Sequence, residues 1–137
     1  MMPAPARQTD KTDKRAGLRV LIVDDEPVNR LVLSRMLSAR GHGVIEAASG
    51  QAAIELASDH RPGLILMDIN MPGMTGVEAA QRILETLGNA APPIVAVTAN
   101  DTSAQRLECE AAGFLGFIGK PLRMPLLLEC LDAAVRL

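Results

Sequence analysis

Five short apolar runs recur along this chain, and each is followed by a stretch with helical spacing. The runs occupy residues 18–23, 43–47, 63–67, 93–97 and 115–118. They are rich in Val, Ile and Leu and do not alternate with polar residues. Alternation would leave one face of a sheet wet; a continuous apolar run needs both faces covered. The pattern therefore predicts an α/β fold, a single doubly wound parallel sheet of five strands with five helices. The 137 residues suit one domain, and a hydrophobic share of 48% allows a core without disulfides or structural metals. Residues 1–17 are polar and rich in small side chains, and read as a flexible tail. The domain proper is expected over 18–137.

The helices carry their own signals. Pro27 suits the first turn of the first helix; Val28, Val32, Met36 and Ala39 mark one apolar face, and Gly41 ends it. Ser49 can cap a second helix running to about residue 58. Thr75-Gly76-Val77-Glu78 has the form of a capping box and opens a third, with Val77, Ala80, Ile83, Leu84 and Leu87 inward. The fourth, over 102–112, has a thin stripe of Ala104, Leu107 and Ala111 and should be weakly held. In the last, over 124–135, Leu126, Leu127 and Leu128 cannot all face inward.

Composition removes several function classes. The formal charge is −2, and Phe114 and Phe117 are the only aromatic residues. Neither a basic surface nor a stacking platform is available, so no nucleic acid is expected as a partner. Cys109 and Cys130 are too few for a disulfide framework or a zinc site and read as small core residues. The N-terminus has no apolar secretory region and no run is long enough for a membrane span, so a cytoplasmic protein is expected.

Ligands of open parallel sheets bind beyond the carboxyl ends of the strands, where the strand order reverses. Asp24 and Asp25 follow the first run, Asp68 the third, Thr98 and Asn100 the fourth, and Lys120 the fifth. Three carboxylates gathered on one edge repel one another, and a divalent cation relieves them. Oxygen ligands favour magnesium, manganese or calcium over zinc or copper, and magnesium fits best because it binds through one or two carboxylates and keeps waters free for a phosphoryl group. The first strand–helix junction is Asp-Asp-Glu-Pro, not the glycine-rich loop that receives a nucleotide phosphate. An anion would need a metal between itself and those acids. Lys120 and Thr98 can each hold a phosphoryl oxygen. Asp68 is the carboxylate placed to act as a nucleophile, so the edge reads as a phosphoryl-transfer site.

With these residues assembled, the chain resembles the response regulator receiver family. The segments that carry the resemblance are VLIVDDEPVNR, LILMDINMPGMTG, IVAVTAN and GFIGKPL, in that order, and they span nearly all of 18–137. The resemblance implies a flavodoxin-like sheet of strand order 2-1-3-4-5. It implies Asp68 as phosphoacceptor, Asp25 and Asp68 as direct magnesium ligands, Asp24 as the acidic partner that holds the metal, often through water, and the Asn70 backbone carbonyl as a further ligand. Thr98 and Phe117 would form the switch pair, Lys120 would bond the phosphoryl group, and the Lys120–Pro121 peptide would be cis. The phosphoryl group would come from a sensor histidine kinase or a histidine phosphotransfer protein. The fourth helix, fifth strand and last helix would present the face read by a downstream protein. Two positions depart from the common pattern: Leu115 stands where an acid is frequent, and position 117 is Phe, not Tyr. Asn70 and Asn100 sit where family members tune phosphoryl lifetime.

Other classes compete with this reading. An Asp-nucleophile phosphatase would carry a second acid where Asn70 stands. A flavin-binding relative is disfavoured by the acidic first loop and the lack of aromatics. A receiver-like scaffold that is never phosphorylated is disfavoured by the complete acid–Thr–Lys set. No residues remain for an output domain after the last helix. A single-domain regulator or a receiver cut from a hybrid histidine kinase is therefore expected, a switch that acts only on its own phosphorylation.

Overall fold

Each apolar run becomes a strand in the computed structural model, which describes residues 17–135. The reading of 1–17 as a flexible tail falls outside the described residues except at Gly17. The strands are β1 (Arg19–Val23), β2 (Gly43–Ala47), β3 (Leu64–Asp68), β4 (Ile94–Thr98) and β5 (Gly116–Gly119). The helices are α1 (Pro27–Ser38), α2 (Gly50–His60), α3 (Gly76–Leu87), α4 (Ser103–Ala111) and α5 (Met124–Val135). All strand pairs are parallel, in the order β2-β1-β3-β4-β5.

Successive strand residues point to opposite faces, so each apolar run feeds two cores. Leu21, Val23, Ile65, Met67 and Ala96 pack under α2 and α3 with Ala53, Ala57, Ala80 and Ile83. Val20, Ile22, Leu64, Leu66, Val95 and Val97 pack under α1 and α5 with Leu33, Leu37, Leu127 and Leu131. Every residue of β3 and β4 is buried, which is why these runs carry no polar alternation. Cys109 and Cys130 are both buried in these layers.

In α3 the expected face is the inner one, with Val77, Ala80 and Ile83 buried and Leu84 and Leu87 packed beside them, but two other helices differ. In α1 the apolar positions Val28 and Val32 do not meet the sheet; they are 67% and 51% exposed, and Leu33 and Leu37 are buried instead. Propensity and spacing give a helix two apolar stripes there, and only the sheet decides which is inside. In α4 the expected stripe of Ala104, Leu107 and Ala111 also faces out, and the one buried residue of that helix is Cys109. The expectation of a weakly held α4 agrees with that single anchor. In α5, Leu127 is buried, Leu128 is half-buried and Leu126 is exposed.

The loop from β3 into α3 is the tightest passage in the fold. Thr75 Oγ1 accepts from the Glu78 backbone N–H at 3.2 Å, and Glu78 Oε1 accepts from the Thr75 N–H at 2.9 Å, closing the capping box. Gly76 then passes so near the end of β3 that a Cβ there would collide with the Asp68 carbonyl oxygen and the Ile69 Cα. Both are backbone atoms and cannot rotate aside. Gly76→Ala is therefore expected to lower the unfolding free energy by about 2 kcal/mol. Urea unfolding measures this, and a loss below ~0.5 kcal/mol would mean that the loop can yield.

Candidate functional site

The strand order reverses between β1 and β3, since the chain leaves β1 for β2 on one side and returns to β3 on the other. Asp24 directly follows β1, Asp68 ends β3, Thr98 ends β4, and Lys120 directly follows β5. Asp24, Asp68 and Thr98 are 2%, 5% and 0% exposed, so these polar groups have given up most of their water.

One ammonium joins the buried acids. Lys120 Nζ lies 2.9 Å from Asp24 Oδ2 and 3.5 Å from Asp68 Oδ1. The other Asp24 oxygen accepts the Glu26 backbone N–H at 2.9 Å, and Arg30 Nη1 donates to the Asp24 carbonyl at 2.8 Å. Burial pushes the Asp68 carboxyl up to about 6; Lys120 opposes this, the Asp24 charge adds to it, and the Asn70 backbone N–H also opposes it. Burial pulls the Lys120 ammonium down, but its bonds and attraction to Asp24 and Asp68 outweigh that and hold it above its ordinary value. The Lys120–Pro121 peptide is cis.

Asp24, Asp25 and Asp68 each offer an oxygen within 4.8 Å of the others. Oxygens on one magnesium ion lie up to ~4.2 Å apart at its usual bond length, so small side-chain rotations would gather them. Asp25 is half-buried, and its carboxylate has no hydrogen bond or ion pair among the described residues. Three carboxylates face one ammonium here, and the surplus negative charge suits a divalent cation.

Thr98 is held by two donors. Its Oγ1 accepts Asn70 Nδ2 at 2.9 Å and the Asn100 backbone N–H at 3.1 Å. Asn70 Oδ1 in turn accepts Gln105 Nε2 at 3.2 Å. Phe117 packs on the core of the α2–α3 face, with the Arg106 guanidinium 4.7 Å above its ring centre. Arg106 is fixed from its other side by Asp101 at 2.9 and 3.2 Å.

The acids, Thr98 and Lys120 thus converge as their strand-end positions predict. Arg30 and Gln105 were not legible. Gln105 stands three residues after Thr102, where a reader assigns it to the cap of its own helix. Its side chain instead crosses to Asn70, a contact between segments far apart in sequence that leaves no local pattern.

A sequence model described as response regulator receiver domain matches residues 20–132. The chain belongs to the response regulator receiver family. It is similar to protein PilH of Pseudomonas aeruginosa, 32% identical over 117 residues, covering 85% of this chain and 97% of PilH. It is also similar to sensor histidine kinase RcsC of Salmonella typhimurium, 35% identical over 90% of this chain but only 13% of that protein. Among solved structures it superposes on the receiver domain of sensor histidine kinase PA1611 of Pseudomonas aeruginosa with a TM-score of 0.80 at 32% identity, covering 88% of this chain and 99% of the other. That structure has a magnesium ion coordinated in its active-site cleft. Receiver domains are the switches of two-component signalling, found both alone and within hybrid kinases, and the strand order 2-1-3-4-5 is theirs. Among the described residues, no helix of this receiver is long and apolar enough to cross a membrane.

The raised Asp68 value has a measurable consequence. The unfolded chain releases this proton near 3.8 and the folded protein near 6. Between those values the folded state holds more proton, so the stability contributed by Asp68 falls as pH rises through the window and stays low above it. Asp68→Asn removes the charge and with it that slope. In a chelator at pH 7 the variant is expected to be more stable than the wild type by about 3 kcal/mol. The gain should shrink near pH 4 and when magnesium is added to the wild type. Urea titrations across this range read the effect; equal stability at pH 7 would mean that Asp68 is not crowded by its surroundings.

Proposed function

We propose that Asp68 is the phosphoacceptor of this receiver and that its phosphorylation, with magnesium bound, is the signal passed to a partner protein. The observation that carries this is the pairing of buried Asp68 with Asp24, Asp25 and Lys120 at the strand ends. Asp25 and Asp68 are assigned as direct metal ligands, with the Asn70 carbonyl as a third. Both oxygens of Asp24 already accept protein hydrogen bonds, which favours its acting through water. Magnesium is the assigned ion and manganese an acceptable substitute; held by these residues, it would neutralise charge on the phosphoryl oxygens.

The rest of the chemistry belongs to side chains. An Asp68 carboxylate oxygen attacks the phosphorus of a phosphohistidine. The phosphorus–nitrogen bond breaks, and the imidazole leaves and takes up a proton. Lys120 moves its donor from Asp24 toward a phosphoryl oxygen, and the Thr98 hydroxyl donates to another. Position 70 is an amide bonded to Thr98, so it supplies no proton, which argues against a phosphatase cycle. Incubation with acetyl phosphate should add one base-labile phosphoryl group, only with magnesium and not in Asp68→Ala. Intact-mass spectrometry decides this; a label that persists in Asp68→Ala or forms without the metal would overturn the assignment.

The donor is a sensor histidine kinase or a histidine phosphotransfer protein. Receiver domains work with sensor histidine kinases, and RcsC and PA1611 carry that name. The exposed stripe of Val28, Leu31 and Val32 on α1 supports the reading. Val32 and Leu33 line an apolar groove that runs to Asp24, Lys120 and Leu122. A helix docked there would bring its histidine to the mouth of the site. Val28→Asp should slow phosphorylation by a phosphohistidine donor at least tenfold and leave the acetyl phosphate rate within twofold. Equal rates from both donors would remove α1 from the interface. The output face is assigned to α4, β5 and α5, where Leu107 and Leu126 are exposed and α4 has one buried anchor. A cytoplasmic setting fits this exchange between proteins.

A further inference from the structure

We propose that Gln105 couples the charge on Asp68 to the position of α4, acting through Asn70 on Thr98. This rests on Asp68 being the phosphoacceptor, and it adds a specific route out of the site.

The route is a chain of directed hydrogen bonds. Gln105 Nε2 donates to Asn70 Oδ1, and Asn70 Nδ2 donates to Thr98 Oγ1. The Asn100 N–H takes the other lone pair of the Thr98 oxygen, so that hydroxyl can accept no more and keeps only its hydrogen to give. The three side chains come from α4, from the loop two residues past Asp68, and from the end of β4. Asn70 has two amide ends, and Gln105 selects which one faces Thr98. While a donor holds Oδ1, the NH2 end is the one presented to the hydroxyl.

A phosphoryl group on Asp68 changes that competition. The Asn70 backbone already contacts the Asp68 carboxylate, so its side chain is next to any group added there. Anionic oxygens draw N–H and O–H donors about twice as strongly as neutral acceptors do. The Asn70 NH2 and the Thr98 hydroxyl then turn to the anion, and Asn70 Oδ1 leaves Gln105. Little holds Gln105 in place afterwards. Its Oε1 is buried without a hydrogen-bond partner among the described residues, so moving out to water gains a bond for that atom. The helix it belongs to has only Cys109 buried, with Arg106 over Phe117 as its other tie to the sheet. Loss of the Gln105 bond is therefore a sizeable share of what positions the first turns of α4. By linkage, whatever holds α4 in place also opposes charge on Asp68.

The test uses the full chain with magnesium and beryllium trifluoride as the phosphoryl analogue. Gln105→Met keeps the side-chain length and helix propensity and removes the donor. It should bind the analogue about fivefold more tightly than the wild type, the factor for one net hydrogen bond already broken. In an Asn70→Ala background the same substitution should change affinity by less than twofold. A merely structural role would lower thermal stability without that dependence on Asn70. Unchanged or weaker binding by Gln105→Met, or an equal gain in both backgrounds, overturns the coupling. A wild type that binds no analogue refutes the phosphoacceptor assignment separately. Amide exchange of the unmodified protein then decides the contact. Gln105→Met should speed exchange in the first two turns of α4 about fivefold, but not when Asn70 is already Ala; unchanged exchange overturns it.

Discussion

Lys120 offsets part of the repulsion between two buried acids on the edge that carries the site. Its ammonium sits between Asp24 and Asp68, two carboxylates buried side by side at the ends of neighbouring strands. Like charges in a poorly solvated place raise each other's energy, and the single cation offsets only part of that. The tie also spans the sheet, since it brings the end of β5, an outer strand, over the ends of β1 and β3. What remains is an incompletely balanced pocket. Its surplus negative charge suits a divalent cation.

The surrounding structure is graded in the same sense. β3 and β4 are buried throughout, and their ends carry Asp68 and Thr98 on backbone that cannot wander. The capping box of α3 and the close passage of Gly76 hold the loop that carries Asn70. On the far side of Thr98 the order is reversed. α4 meets the sheet through one cysteine, an amide chain and a cation over an aromatic ring. A firmly held centre thus lies beside a lightly fastened helix, whose place depends on a few side-chain contacts.

The elements were legible because their signals are local. Strand runs at 43–47, 63–67 and 93–97 are found within a residue or so of their place, and Thr75 and Glu78 form the capping box their spacing announces. The site was legible for a related reason: in a parallel sheet every strand ends on the same edge, so residues that follow the strands must converge. Asp24, Asp68, Thr98 and Lys120 do so. What failed was the choice of face in α1 and α4, whereas α3 buries the face its spacing marks. Val28 and Val32 have the right period and lie outside, since period alone does not say which apolar stripe the sheet will cover.

The order of strand and helix, and the polar residues at each strand end, were determined by the sequence, since both depend on neighbours along the chain. The tertiary structure alone decided the partners. Nothing local distinguishes a Gln105 that caps its own helix from one that reaches Asn70, or a Lys120 in water from one that bridges Asp24 and Asp68. Those bonds depend on the distances at which separate segments pack. The acids, the hydroxyl and the ammonium could be named from the sequence, whereas the wiring between them and α4 exists only once the sheet has brought them together.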